Sequence, residues 1–183
     1  MGMIVMGRAL FVGRFQPLHR GHEYAIEYML DREDEIIIAI GSAQENYTPT
    51  NPLTCGERIE IIWTYLQRRK LLDRCIICSV PDINNNFLWP RHVIALTPKF
   101  DIVYSGNPLV LLLFKTMGVP THKITEIKKD EYSGTVIRNK ILRGEKWRHL
   151  VPDETIPILD RLNFENRIRM LGGIYRIFHH EKR

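Results

Sequence analysis

The chain has 183 residues, 44% of them hydrophobic and 26% charged, with a formal net charge of +5. That length and apolar content suffice for one domain with its own core, and they exclude a disordered chain, a collagen-like repeat and a disulfide scaffold. Residues 1–122 are balanced in charge and the surplus of Lys and Arg lies in the last third, a clustering that draws polyanions such as nucleotides, nucleic acid or an anionic membrane.

The longest unbroken aliphatic-aromatic run, Leu109–Phe114, has six residues, against the ~20 that a membrane span needs. The stretch from Met1 to Phe15 is apolar but interrupted by Arg8, without the basic, apolar and cleavage order of a secretory signal. The three cysteines, an odd and small number, suit a reducing compartment. A cytoplasmic protein with no membrane partner is expected.

In chain order, Ala9–Val12 reads as a short buried strand ending at Gly13-Arg14-Phe15-Gln16-Pro17. Ala25, Ile26, Met29 and Leu30 form a stripe at helical spacing and predict a helix over His22–Arg32. Glu35–Ile40 is a second strand, and its Ile36-Ile37-Ile38 run indicates burial on both faces of a parallel sheet. Pro49 to Pro52 is loop, and Thr54-Cys55-Gly56-Glu57 fits a capping box before a helix to about Lys70. Strands follow at Cys75–Val80, Asp101–Tyr104 and Thr121–Ile127, with helices over Phe87–Leu96 and Pro108–Met117. Cys75 and Cys78, three apart on a strand, face opposite ways and cannot share a metal. Beyond Ser133 the pattern is helical, with breaks near Gly144, Pro152 and Gly172-Gly173. The alternation predicts an α/β fold with a doubly wound parallel sheet over residues 1–150, and a small helical extension of the same domain over 151–183.

In such a fold, ligands bind beyond the carboxyl ends of the strands. The first strand-to-helix turn there, Gly13-Arg14-Phe15-Gln16-Pro17-Leu18-His19-Arg20-Gly21-His22, has the chemistry of an anion site. Gly13 allows close backbone approach, Arg14 supplies a guanidinium fork, and Pro17 stiffens the loop. His19 and His22 share one face of a helix that begins near them. Gly21 leaves room for a phosphate, and the free N–H groups of the helix start add positive dipole. No carboxylate or cysteine is interleaved, so a protein-held metal is not expected. Ser133 is a candidate N-cap, which makes a second helix start a second anion site.

Gly13–His22 resembles the signature of the HxGH nucleotidyltransferase superfamily, and Tyr132-Ser133-Gly134-Thr135-Val136-Ile137-Arg138 resembles its second hallmark. Gly41-Ser42-Ala43-Gln44, Asn51-Pro52-Leu53-Thr54-Cys55-Gly56-Glu57-Arg58, Pro81-Asp82-Ile83 with Asn86 and Trp89, and Tyr104-Ser105-Gly106-Asn107-Pro108 are similar to the archaeal-type nicotinamide-mononucleotide (NMN) adenylyltransferases. The resemblance implies transfer of AMP from ATP to NMN, giving NAD and pyrophosphate, with Mg²⁺ carried on the ATP phosphates. It implies that His19, His22, Arg14 and Arg138 are catalytic. ATP would be bound by Gly13, Arg14, Phe15, His19, Gly21, His22, Gly106, Asn107, Tyr132, Ser133, Thr135 and Arg138. NMN would be bound by Phe15, Ser42, Asp82, Asn86 and Trp89, with the indole facing the pyridinium cation. It also implies a homo-oligomer, commonly a hexamer, with Leu171 to Phe178 available for contacts.

One departure stands out. The family pattern has an Arg two residues before the Pro that opens the second helix, and here that place is Thr50, which offers a hydroxyl but no charge. Arg138 or Arg14 covers both phosphates, or another basic residue reaches in. The rival readings are a pantetheine-phosphate adenylyltransferase or cytidylyltransferase of the same superfamily and, from another class, a basic nucleic-acid-binding module. The last leaves His19 and His22 without a task, and the chain shows no RNP-like aromatic pair, helix-turn-helix or zinc finger.

Overall fold

The computed structural model describes residues 7–125 and 131–180. Five strands, β1 (Arg8–Gly13), β2 (Glu35–Ile40), β3 (Cys75–Ser79), β4 (Ile102–Ser105) and β5 (Thr121–Lys123), form one parallel sheet in the order β3-β2-β1-β4-β5. Central β1 pairs with β2 from Arg8↔Glu35 to Gly13↔Ile40, and with β4 from Ala9↔Ile102 to Phe11↔Tyr104. The chain winds outward from β1 on one side, then returns to build β4 and β5 on the other. The topological switch point therefore lies between β1 and β4, where a ligand crevice is expected.

Seven α-helices accompany the strands among the described residues: α1 (Arg20–Leu30), α2 (Cys55–Arg68), α3 (Trp89–Leu96), α4 (Pro108–Thr116), α5 (Gly134–Arg143), α6 (Ile156–Arg161) and α7 (Phe164–His180). Strand alternation divides the core. Ala9, Phe11, Ile36, Ile38 and Ile40 face one layer, with Ile26 and Met29 of α1, Ile61 and Ile62 of α2, Ile137 and Ile141 of α5, and Leu159, Phe164 and Ile168 of the last two helices. Leu10, Ile37, Ala39 and Val103 face the other, beneath Val93 of α3 and Phe114 of α4. Both faces of β2 are thus buried, as its apolar run requires. Each fully buried aliphatic side chain contributes about 1.5–3 kcal/mol relative to exposure.

Local sequence sets the helix ends. Thr54 and Glu57 form the reciprocal capping box that opens α2, Ser133 caps α5, and Gly144 closes α5 in the left-handed conformation at φ 74°. Three expectations need correction. Helix α1 begins at Arg20 rather than His22, because His19 is its N-cap. The helix expected from Phe87 begins at Trp89, with Pro90 in its first turn. Gly172-Gly173 does not break α7. A Cβ on Gly172 would lie 2.8 Å from Leu142 Cδ2, so the glycine lets α7 lie against α5. The break falls at Asn163, between α6 and α7, whose φ of 50° is one that Asn tolerates. The described part of β5 ends at Lys123, and the last two residues of the strand expected over Thr121–Ile127 lie outside the described residues. Cys75 and Cys78 are half-buried, free thiols on β3, and burial pushes that of Cys75 up to about 12.

Helix α7 is clamped to the start of α2. Arg167 donates through both Nη atoms to the Glu57 carboxylate, at 2.7 and 2.8 Å, and its guanidinium lies 4.9 Å from the Tyr47 ring centroid. Burial raises the Glu57 carboxyl pKa, but the Arg167 and Thr54 hydrogen bonds outweigh it and hold the group below its ordinary 4.5. The folded state thus binds its proton later than the unfolded chain does. The pair's stabilisation is present above pH 4.5 and is lost as pH falls through the lowered folded value. Replacing Arg167 with Met is expected to cost about 1–3 kcal/mol in urea unfolding at neutral pH, and to flatten the acid limb of the stability profile. An unchanged midpoint would show that the clamp contributes nothing.

Candidate active site

The loop after β1 runs across the switch point, and its geometry is set by His19 and His22. The His22 backbone N–H donates to His19 Nδ1, and the His19 backbone N–H donates to His22 Nδ1, each at 3.3 Å. This is a capping box made of two imidazoles. The rings stack with centroids 3.7 Å apart, and Phe15 lies against His22 at 4.4 Å. Because each Nδ1 accepts a backbone proton, each neutral ring carries its own proton on Nε2.

The site thus holds two uncharged N–H donors. Burial, helped by Arg138, pulls the His19 pKa down to about 4. Burial and the neighbouring His19 hold His22 well below its ordinary 6.5. Gly13 makes room for this packing: a Cβ there would lie 2.9 Å from the Phe15 ring and 3.5 Å from His22 Nε2. Phe15 itself adopts a left-handed φ of 51°, uncommon for a bulky residue and frequent at functional turns.

The second loop meets the first through Arg138 and Gly134. Arg138 is buried, and its Nη1 donates to the Gln16 carbonyl at 2.6 Å while Nη2 donates to Thr135 Oγ1 at 3.2 Å. Burial, with the repulsion of Arg14, lowers its pKa to about 10, so it stays charged at neutral pH. A Cβ on Gly134 would lie 2.7 Å from the Gln16 carbonyl oxygen, and one on Gly21 would lie 3.1 Å from both the His19 ring and the Tyr132 carbonyl. These two glycines allow the start of α5 to lie directly beside the start of α1.

The result is a cavity of about 570 Å³, within the ordinary range for small-molecule sites. Arg14, His19, His22, Gly106, Asn107, Ser133, Thr135 and Arg138 line it, together with Phe15, Gly21 and Tyr132. Of the residues expected to bind ATP, all but Gly13 reach its wall, and Gly13 packs behind it against Phe15. Asn107 caps α4 by accepting from Leu109 N at 3.0 Å. Neither Arg14 nor Arg138 has a carboxylate partner among the described residues.

The expected NMN residues, Phe15 apart, lie outside this cavity. Ser42 N donates to Asp82 Oδ1 at 3.3 Å, and Asp82 N donates to Gln44 Oε1 at 2.9 Å, so the loops after β2 and β3 are joined. Ser42 shares the left-handed backbone of Phe15, with φ 47°. Asn86 is exposed, and Trp89 is half-buried with its ring 5.7 Å from Phe114, edge to face. Thr50 is exposed, and its hydroxyl pairs with that of Thr48 at 3.3 Å.

Sequence reasoning missed Gln16 and Arg58. The Gln16 side chain bridges the loops by donating to Leu53 O and accepting from Leu53 N, both at 2.9 Å. Arg58 is wholly buried. A signal for it existed: it occupies the first position of the stripe Arg58, Ile61, Ile62, Tyr65, Leu66, where an apolar residue is the usual choice.

Residues 10–140 match the family model described as cytidylyltransferase-like. The chain belongs to this family. This cytidylyltransferase-like chain is similar to the nicotinamide-nucleotide adenylyltransferases of Methanothrix thermoacetophila and Methanococcus aeolicus, at 43% and 44% identity. The alignments cover 91% and 90% of this chain and 97% and 95% of theirs. A crystal structure of a bifunctional NMN adenylyltransferase/ADP ribose pyrophosphatase from Francisella tularensis shares the fold, with a TM-score of 0.79 at 18% identity. That match covers 97% of this chain and 56% of the longer one.

The histidine geometry is testable without substrate. In an NMR titration of the ligand-free protein, His19 should stay neutral until about pH 4. The unfolded chain takes up these protons first, so stability should fall as pH drops below 6.5 and level off beneath the folded values. Imidazoles titrating near 6.5 would show that the rings are solvated rather than locked.

Proposed function

We propose that this protein is a nicotinamide-nucleotide adenylyltransferase that joins ATP and NMN into NAD and releases pyrophosphate. The observation that carries the reading is the meeting of two capped helix starts and two carboxylate-free guanidinium groups on one nucleotide-sized cavity. Relatives at 43% and 44% identity bear that enzyme's name.

The chemistry suits the residues. A phosphate monoester has its second pKa near ~6, so the NMN phosphate is largely dianionic at neutral pH and needs no general base. One of its oxygens attacks the α-phosphorus of ATP, and the bond from that phosphorus to the bridging oxygen breaks. Alignment and charge neutralisation are then the main tasks. The α1 start, with the Nε2–H groups of His19 and His22, receives the α-phosphate and the departing bridging oxygen. Ser133, Thr135 and Arg138 at the α5 start hold the β- and γ-phosphates, and Gly106 and Asn107 lie beside the adenosine. With no Arg at position 50, Arg14 and Arg138 are assigned to neutralise both nucleotides. Ser42, Asp82, Asn86 and Trp89 hold the NMN base and ribose.

Among the described residues, no group of three or more His, Cys, Asp or Glu is placed to hold a metal ion. The proposal has magnesium carried on the triphosphate, where it would supply additional charge neutralisation. The proposal includes a cytoplasmic homo-oligomer. Phe87 and Leu88 just before α3, Ile94 on α3, and Leu109 and Leu112 on α4 are exposed large apolar side chains, which supports self-association. Among the described residues no helix is long and apolar enough to cross a membrane.

Incubation with ATP, Mg²⁺ and NMN should yield NAD. Pyrophosphate release with phosphopantetheine and not with NMN would reassign the substrate while leaving the superfamily chemistry intact. His22→Ala should lower kcat by about 100-fold or more, and should cost only about 1 kcal/mol of stability through the lost cap. Full activity in that variant would remove His22 from the mechanism.

A further inference from the structure

Arg58 stands one turn inside α2 with none of its side chain exposed. Its Nη1 donates to the carbonyls of Gly41 at 2.9 Å and Arg14 at 3.1 Å. Its Nη2 donates to those of Ser42 at 3.1 Å, Ala43 at 3.3 Å and Glu45 at 3.4 Å. Its Nε donates to Thr54 O at 3.3 Å. Among the described residues no carboxylate lies within ion-pair distance of it, and Asp82 supplies only a more distant counter-charge; its hydrogen-bond partners are all backbone carbonyls.

Such an arrangement is unusual. A buried cation generally needs a counter-charge, and a hydrocarbon of similar volume would avoid the desolvation cost. Ser42 O and Thr54 O also accept the backbone N–H groups of Glu45 and Arg58, but a hydrocarbon here would remove the donor that the buried Gly41 carbonyl and the part-buried Arg14, Ala43 and Glu45 carbonyls share. The carbonyls converge because the backbone turns left-handed immediately after Arg14, at Phe15, and again at Ser42, with φ of 51° and 47°. The guanidinium thus sits at the inner corner of both turns. One turn carries Arg14 and leads to His19, and the other joins the Asp82 segment through Ser42 N.

We propose that Arg58 is a positioning residue for the transfer: it locks the loop after β1 to the loop after β2, keeping the triphosphate side and the mononucleotide side in register. The inference rests on the transferase reading above and extends it to a residue that touches neither nucleotide. A planar fork can reach carbonyls on two loops at once, and the point charge of lysine, with three donors, cannot satisfy six.

The test compares wild type with Arg58→Lys and Arg58→Ala. Urea unfolding, calorimetric ATP binding without NMN, and steady-state kinetics are measured for each. Both variants should fold and bind ATP within about 3-fold of wild type, because His19, His22 and Arg138 are untouched. Each should lose kcat by about 100-fold or more, as misplacement of reacting groups does, with smaller changes in both KM values. Added guanidinium should restore turnover to Arg58→Ala, and methylammonium should not. A merely structural role would lower the unfolding midpoint and leave kcat per folded molecule unchanged. That result, or failure of both variants to fold, would overturn the positioning role. If wild type itself makes no NAD, the transferase reading falls first, whatever the variants do.

Discussion

The site depends on one hydrogen bond, from the Arg138 guanidinium to the Gln16 carbonyl. It joins two segments 122 residues apart and brings the N-termini of α1 and α5 together. That junction is electrostatically unfavourable by itself. Each helix start carries about half a positive charge, and Arg14 and Arg138 add two more. No carboxylate pairs with either of these two guanidinium groups among the described residues, and Glu23 in the first turn of α1 is already paired with Arg20 and Arg69. The protein limits the repulsion in two ways. Arg138 is held by carbonyl and hydroxyl oxygens, whose dipoles face its charge. The two histidines are kept neutral by burial and by their reciprocal caps. A bound polyanion would supply the missing counter-charge, and its binding would then be linked to the stability of this junction.

The rest of the fold holds the junction from behind. Glu23, one residue past His22, is buried and pairs with Arg20 at 2.8 Å and with Arg69 of the α2 C-cap. Arg69 in turn reaches Glu154 at 2.7 Å, and Arg20 reaches Asp153 at 2.9 Å. The short segment before α6 is thereby tied to the first turn of α1. On the other side, Gly172 lets α7 pack on α5 over Leu142, and Arg167 ties α7 to the α2 cap. The C-terminal helices act less as an appendage than as a brace between the two helices whose starts form the cavity.

Much of this was legible in the sequence because it is local. The capping box at Thr54 and Glu57, the Ser133 cap, the Gly144 stop and the double-sided burial of Ile36–Ile38 each follow from residues within a few positions of one another. The residues that escaped are those whose roles are set by distant partners. Gln16 looks like a loop amide until Leu53 is placed beside it. Arg58 looks like a solvated helix cation until the left-handed turns at Phe15 and Ser42 aim carbonyls at it. Gly172 reads as a helix breaker, and tertiary packing overrides that propensity. The pairing of His19 with His22 was visible as spacing. Their neutrality was not, because it depends on how deeply the fold buries them.

Charge gives the sharpest case of a whole-chain quantity misleading about a site. The basic surplus of the last third suggests a broad polyanion-binding face, yet much of it is already paired. Lys140 meets Glu145, Arg148 meets Asp160 and Arg169 meets Glu165 within that region. Arg161 and Arg167 meet Glu60 and Glu57 of α2, in the charge-balanced part of the chain. Ion pairs of this kind neutralise one another at short range, and exposed ones are screened further by salt. What selects a ligand is charge without a partner in a concave, partly dry setting, where its field is strongest. Among the described residues Arg138 is the one member of the basic third on the cavity wall, where it is buried, and the more exposed Arg14 joins it from the other end of the sequence. A compact phosphate chain matches two such cations converging at one point.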